Sequence, residues 1–295
     1  MPLDPEVAAL LERQKGLPPR SSLDVAATRE MMRRGAALAG TPPTLPRVED
    51  VILSDALRVR DYWPSLESDL ALVVYFHGGR FFSGDLESHD TLCRKLALSG
   101  GCRIVAVDYR QGPENRFPAA VEDACLAVHW ALAQGVPTGV AGDSAGANLA
   151  TVAAIAHKGS ALRCQLLVYP MIDATCSLPS YLEFAEGFGP GAVDMRRGWL
   201  EYLPEGADPR DPRASPLFAA DLSGLAPALV ITAEYDTLRD EGESYSRRLV
   251  EAGTPAELSR YDGVIHGFFS MPGVLGVARA AIDKTGAFLR RNLRQ

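Results

Sequence analysis

Thr138-Gly139-Val140-Ala141-Gly142-Asp143-Ser144-Ala145-Gly146-Ala147-Asn148-Leu149-Ala150 reads as a short strand, a tight turn and the start of a helix. Glycines stand two places before and two places after Ser144. This is the G-x-S-x-G pattern, in which a strand-to-helix turn holds a serine in strained backbone. The strand end and the helix start nearly touch there, so the neighbours must be small, as Gly142, Ala145, Gly146 and Ala147 are. The turn pushes the hydroxyl outward at a helix N-terminus, where free N–H groups face it. The bare pattern also arises by chance, and a plain turn with an incidental serine explains this stretch equally well.

The surrounding chain narrows the choice. Its 295 residues are 47% hydrophobic, enough for one large α/β core. The formal net charge is −7, with no basic cluster, which argues against a nucleic-acid partner. No apolar run approaches membrane-spanning length. The opening Met1-Pro2-Leu3-Asp4-Pro5-Glu6 is acidic and proline-rich, unlike a secretory signal. Cys93, Cys102, Cys125, Cys164 and Cys176 are odd in number and scattered, without a C-x-x-C. That disfavours zinc or a disulfide framework and predicts reduced, mostly buried thiols in a cytoplasmic protein.

Residues 3–14 and 23–39 carry helical periodicity, with Val7, Leu10 and Leu11 on one face. Pro42, Pro43 and Pro46 then break it, so these helices read as an appendage to the core. Met31 and Met32 are expected to pack ordinarily rather than line a cleft. Residues 48–61 alternate apolar and polar, as an antiparallel edge hairpin does. Leu70-Ala71-Leu72-Val73-Val74-Tyr75-Phe76 is continuously apolar, the signature of a strand covered on both faces. Further strands are expected at 103–107, 139–141, 165–169, 228–233 and 256–261. Helical stretches lie between or beyond them near 86–99, 118–133, 145–157, 238–252 and 273–291. This alternation predicts a mostly parallel α/β sheet flanked by helices. From about Thr175 to Asp211 the rhythm stops, and a helical insertion over the C-terminal edge of the sheet is expected.

A serine hydroxyl needs a base, and the base needs an orienting carboxylate. Of the five histidines, His266 alone follows the last expected strand, in Gly263-Val264-Ile265-His266-Gly267-Phe268-Phe269. Loops leaving the C-terminal ends of strands are where α/β sheets place reactive groups. Asp236 follows the 228–233 strand and is the best-placed acid. Asp240 and Glu241 fall one turn into the next helix and are read as helix-start or salt-bridge residues. The oxyanion of an acyl-transfer intermediate needs N–H donors. One is expected from Ala145, another from the glycine-rich loop His77-Gly78-Gly79-Arg80-Phe81-Phe82-Ser83-Gly84-Asp85.

Four stretches, in order, then identify the chain from about residue 45 to its C-terminus. They are His77-Gly78-Gly79 with Gly84-Asp85; Asp108-Tyr109-Arg110 with Pro113-Glu114 and Phe117-Pro118-Ala119; Gly142-Asp143-Ser144-Ala145-Gly146; and Asp236 to Gly242 with His266-Gly267-Phe268. The chain resembles the bacterial hormone-sensitive-lipase-like carboxylesterases, a branch of the α/β-hydrolase superfamily. The resemblance implies a small-molecule ester substrate, no metal and no cofactor. It implies a catalytic core at 46–174 and 212–295, and a cap built from helices in 1–45 and the insertion at 175–211. Ser144, Asp236 and His266 are then the triad, and Gly78, Gly79 and Ala145 the oxyanion donors. His77, Asp143 and Asp173 are scaffold residues. Family members are often dimers, which makes a homodimer a candidate assembly.

Two positions depart from the family pattern. Arg80 stands where a third glycine is usual, and Gln111-Gly112 where apolar residues are usual. Arg80 is expected to point to solvent or pair with an acid such as Asp85; the sharper reading is a substrate contact that recruits carboxylates. Two rival functions share the fold. Plant gibberellin receptors resemble the family but lack the histidine that His266 supplies, and an amidase or peptidase would use the same triad.

Overall fold

The computed structural model describes residues 1–16, 20–53 and 57–294. Among these, Arg47–Ile52 (β1), Arg58–Trp63 (β2), Leu72–Phe76 (β3), Arg103–Val107 (β4), Thr138–Asp143 (β5), Leu162–Val168 (β6), Ala228–Tyr235 (β7) and Ala256–Ile265 (β8) form one sheet. Their spatial order is β1-β2-β4-β3-β5-β6-β7-β8. Only β2 runs against the rest, pairing antiparallel with both β1 and β4. The expected edge hairpin is therefore present, although its turn, 54–56, lies outside the described residues.

The helices are Pro5–Gln14 (α1), Val25–Gly35 (α2), Leu86–Gly100 (α3), Ala119–Leu132 (α4), Ala145–Ala156 (α5), Ser180–Glu183 (α6), Ala192–Tyr202 (α7), Arg239–Glu251 (α8) and Gly276–Asn292 (α9). Their starts are written locally. Asp4 and Asp24 cap α1 and α2 by accepting the N–H groups of Glu6 and Ala27, at 2.8 and 2.7 Å. Asp85 and Ser88 exchange hydrogen bonds in a capping box at the head of α3. The carboxylates satisfy donors that the first turn of a helix leaves open.

The middle strands show why their sequences lack alternation. All five side chains of β3 are fully buried. Leu72, Val74 and Phe76 enter one apolar cluster with α4, α5 and α8, while Val73 and Tyr75 enter the other with α3 and α9. Successive side chains point to opposite faces, so a strand covered on both sides must be apolar throughout. Each such side chain contributes about 1.5–3 kcal/mol of transfer free energy.

Register then places the chemistry. Gly142 lies level with Phe76 on one side and Leu167 on the other, so Ser144 leaves the middle of the sheet. Tyr235 lies level with Ile265, after an irregularity at Ala233–Tyr235. The next residue on each strand is Asp236 or His266, and the two emerge side by side. As expected, 175–211 contains no strand; it holds α6 and α7.

Candidate active site

Ser144 sits between β5 and α5 with φ +55° and ψ −119°. That dihedral pair is costly for a residue with a Cβ and persists only because packing enforces it. A Cβ on Gly142 would lie 2.3 Å from the Gly146 carbonyl oxygen. One on Gly146 would lie 1.9 Å from that of Phe76. Both contacts are with backbone that cannot yield, so glycine is obligatory at both flanks of the serine.

The Ser144 Oγ lies 3.1 Å from His266 Nε2, and His266 Nδ1 lies 2.7 Å from Asp236 Oδ2. A carboxylate only accepts, so Nδ1 carries the proton and Nε2 presents its lone pair to the hydroxyl. The other Asp236 oxygen accepts the Leu238 N–H at 2.8 Å, which fixes the carboxylate. Asp236 is buried, and the Tyr169 ring packs 4.5 Å from the imidazole. Residues 122 and 30 positions apart in sequence thus form one hydrogen-bonded line.

The loop after β3 corrects one expectation. The Gly78 N–H donates to Asp143 Oδ1 at 2.9 Å and is spent there rather than on a substrate oxygen. The N–H groups of Gly79 and Ala145 have no acceptor among the described residues. Gly79 has φ +132°, and a Cβ there would lie 1.9 Å from the Ser83 carbonyl oxygen. Arg80 and Phe81 follow at φ +57° and +64°, so this arginine occupies left-handed backbone in place of a glycine.

Several contacts hold the strained loop. The carbonyl of Gly79 accepts from the Ser83 N–H and hydroxyl, at 3.0 and 2.8 Å. The unusual Gln111 donates from Nε2 to the Gly84 carbonyl at 2.7 Å, and the Gly112 N–H donates to the Phe81 carbonyl at 3.0 Å. Arg29, from α2, reaches the Phe82 carbonyl at 2.9 Å, the Gly112 carbonyl at 3.0 Å and the Glu114 carboxylate at 2.7 Å. The departure at 111–112 therefore buttresses the loop by polar contacts instead of apolar ones.

Beneath the loop, Asp143 also accepts the Tyr75 hydroxyl at 2.7 Å and lies 3.4 Å from His89 Nε2. Burial works to raise its carboxyl, but His89, Tyr75 and the Gly78 N–H together hold it below the usual range. His77 is stacked on Tyr109 at 4.4 Å, and its Nδ1 donates to the Gly78 carbonyl at 2.9 Å. Burial, then neighbouring His89, pushes its imidazole down to about 4, so it is neutral near pH 7. Asp173 accepts from the N–H and hydroxyl of Thr175 in a local turn.

Other side chains fall only partly where the sequence places them. Arg80 takes the acid-paired alternative: it is buried and pairs with Asp194 at 3.4 Å rather than with Asp85. Asp85 pairs instead with Arg33 at 2.5 Å. Met31 and Met32 do line the cleft above Ser144, together with Arg20 and Arg80. Glu241 lies in the first turn of α8, as expected, but makes no salt bridge and turns its carboxylate inward. It is fully buried and accepts from the N–H groups of Ile172 and Asp173, at 2.5 and 2.9 Å, and from the Tyr181 hydroxyl at 2.8 Å. Burial, then the Asp173 carboxylate, pushes its carboxyl well above the usual range. Asp240 does meet expectation, pairing with Arg239 at 2.9 Å.

Sequence reasoning missed Asp194, Arg20 and Tyr169. The first two come from segments whose spacing bears no fixed relation to the sheet, and Tyr169 reads only as the end of a strand. Among the described residues, no three His, Cys, Asp or Glu side chains are grouped to hold a metal ion, and no helix is long and apolar enough to cross a membrane.

Comparisons with known proteins agree with this fold. A family model described as the alpha/beta hydrolase fold matches residues 73–270. An ethyl acetate hydrolase of Pseudomonas putida is 35% identical over 318 aligned positions, covering 99% of this chain and 100% of that protein. A carboxylic ester hydrolase of Mycobacterium tuberculosis is 37% identical over 289 positions, covering 92% of this chain and 77% of that one. The solved structure of a hyperthermophilic esterase from the archaeon Pyrobaculum calidifontis matches with a TM-score of 0.91 at 41% identity, covering 99% of each chain. A strained serine between β5 and α5, a mostly parallel sheet and these relatives lead to one placement: the chain belongs to the hormone-sensitive-lipase-like carboxylesterases of the α/β-hydrolase superfamily.

Proposed function

We propose that the protein hydrolyses small carboxylic esters by two-step acyl transfer through Ser144, His266 and Asp236. His266 takes the Ser144 proton as the oxygen attacks the ester carbonyl. The oxyanion receives the N–H groups of Gly79 and Ala145. His266 then returns the proton to the leaving alcohol, and water repeats the sequence on the acyl-enzyme. Asp236 holds the imidazole in the tautomer that leaves Nε2 free and stabilises the cation formed in passing. The observation that carries this reading is the 3.1 Å contact from Ser144 Oγ to an imidazole anchored at 2.7 Å on a buried carboxylate.

The N-terminal helices and the 175–211 insertion act in this scheme as a cap over the serine. Met31, Met32 and Met195 supply apolar, adaptable lining, which suits small acyl and alcohol groups. The similarity to an ethyl acetate hydrolase of Pseudomonas putida supports the same substrate size. The presence of His266 in contact with Ser144 weighs against a receptor-like binding role.

The test is a p-nitrophenyl ester series from acetate to palmitate, with Ser144→Ala alongside. Turnover should be greatest for short chains, and a fluorophosphonate should label Ser144 stoichiometrically. Undiminished turnover by Ser144→Ala, or labelling elsewhere, refutes the assignment.

A further inference from the structure

Two guanidinium groups line one end of the cleft, and a third packs beside one of them on the Phe82 ring. Arg80 and Arg20 both line the cavity that contains Ser144 and His266. Arg197, one turn along α7 from Asp194, lies with its Cζ 5.1 Å from the centre of the Phe82 ring, and Arg80 Cζ lies 4.9 Å from the same centre. Arg197 has its own acid, Glu201, at 3.4 Å, and a carbonyl acceptor on Leu23. Arg20 and Arg80 share Asp194 alone. Two guanidinium groups thus face one carboxylate, Asp194, at this end of the cleft, while the Asp143 carboxylate on the same cavity wall is engaged by Tyr75, the Gly78 N–H and His89.

Arg80 is also under-satisfied. A guanidinium has five N–H donors. Among the described residues, its side chain makes one hydrogen bond, a long one of 3.4 Å from Nη1 to Asp194 Oδ1. Its exposure is only 5%, and what it exposes faces the cleft. Burial, opposed by Asp194 and reinforced by Arg20 and Arg197, lowers the group to about 10. A buried, poorly paired cation is expensive to maintain, and it stands where a small residue would fit the left-handed backbone better.

We infer that the Arg80–Arg20 end of the cleft is a subsite for a carboxylate carried by the ester substrate. Two guanidinium groups that share one carboxylate can take a second, and the planar fork of Arg80 suits its two oxygens. The preferred substrates are then half-esters of dicarboxylic acids, or esters whose alcohol part bears a carboxylate. The inference rests on the ester-hydrolase reading for its catalytic meaning, but its binding test is independent of turnover.

The experiment compares kcat/KM for ethyl hydrogen succinate with ethyl pentanoate, and for acetoxyacetate with its methyl ester. The wild type should favour one anionic member of these pairs by about tenfold or more, and the winning pair tells whether the carboxylate sits on the acyl or the alcohol side. Arg80→Gly and Arg20→Met should each lower that anionic-to-neutral ratio about tenfold, and Asp194→Asn should raise it. Calorimetric binding of ethyl hydrogen succinate to Ser144→Ala provides a readout without catalysis, and it should weaken as salt is raised. Ratios that stay the same in all three variants, or equal binding of the anionic and neutral esters to Ser144→Ala, overturn the subsite. Loss of all turnover in the wild type with anion-selective binding retained would instead overturn the hydrolytic reading and leave the subsite standing.

Discussion

The carboxylate of Asp143 holds the Gly78 N–H at 2.9 Å, tying the residue before the nucleophile to the loop that faces it. The same oxygen holds Tyr75, so the loop, β3 and the elbow share one anchor. Asp143→Ala should lower kcat about tenfold to a hundredfold with a smaller change in KM, because it displaces Gly79, the proposed oxyanion donor, without deleting it. Asp143→Asn keeps an acceptor oxygen and should restore part of the loss. Equal effects of the two substitutions on kcat would show that Asp143 does not position the loop.

Asp236 makes no contact with substrate in the proposed reaction, yet its substitution is expected to be severe. Asp236→Asn presents an amide whose NH₂ can face Nδ1 and select the wrong tautomer. A fall in kcat on the order of 10⁴ is expected, with the melting temperature little changed. A loss of tenfold or less, measured on p-nitrophenyl acetate, would place the orienting acid elsewhere.

Acid stability should carry the mark of His77. Its folded-state value of about 4 lies below the unfolded value of about 6.5. The unfolded chain therefore binds the proton first, so this residue's contribution is complete above about pH 6.5 and is lost as pH falls toward 4. Between pH 7 and pH 5 the loss is about 2 kcal/mol. Urea unfolding at the two pH values should show it, and His77→Asn should lose that much less over the same interval. An unchanged pH dependence in His77→Asn would remove His77 from the account.

Glu241 offers a comparison of shape against charge. Glu241→Leu leaves two backbone N–H groups and the Tyr181 hydroxyl without their acceptor, and should destabilise the protein by about 3 kcal/mol or more. Glu241→Gln retains an acceptor oxygen and should recover most of this. Thermal melts of both variants decide the point; matching losses would mean that the three donors find other partners.

Much of this was legible in the chain itself. The hydrogen-bonded line of Ser144, His266 and Asp236 could be read because its members follow strand ends in the order serine, acid, histidine, and strand ends in a parallel sheet converge. The strands were legible because burial on both faces forces an unbroken apolar run, as in β3. Other features were not. Asp240 and Glu241 are neighbours in sequence, but about 100° of helix separates them, so one meets Arg239 and the other the interior. Nothing local distinguishes the two. The fate of the Gly78 N–H depended on a carboxylate 65 residues away. The partner of Arg80 lies 114 residues away, in a segment without sheet periodicity.

Arg29 gives the N-terminal region a mechanical meaning. Its guanidinium grips the Phe82 and Gly112 carbonyls and Glu114 at once, so α2 is fastened to the loop it covers. Lifting that helix would break these contacts together and pull on the backbone of the loop beside Ser144. A ligand that widened the entrance by displacing α2 would therefore strain this rivet and, through it, the loop beside the serine.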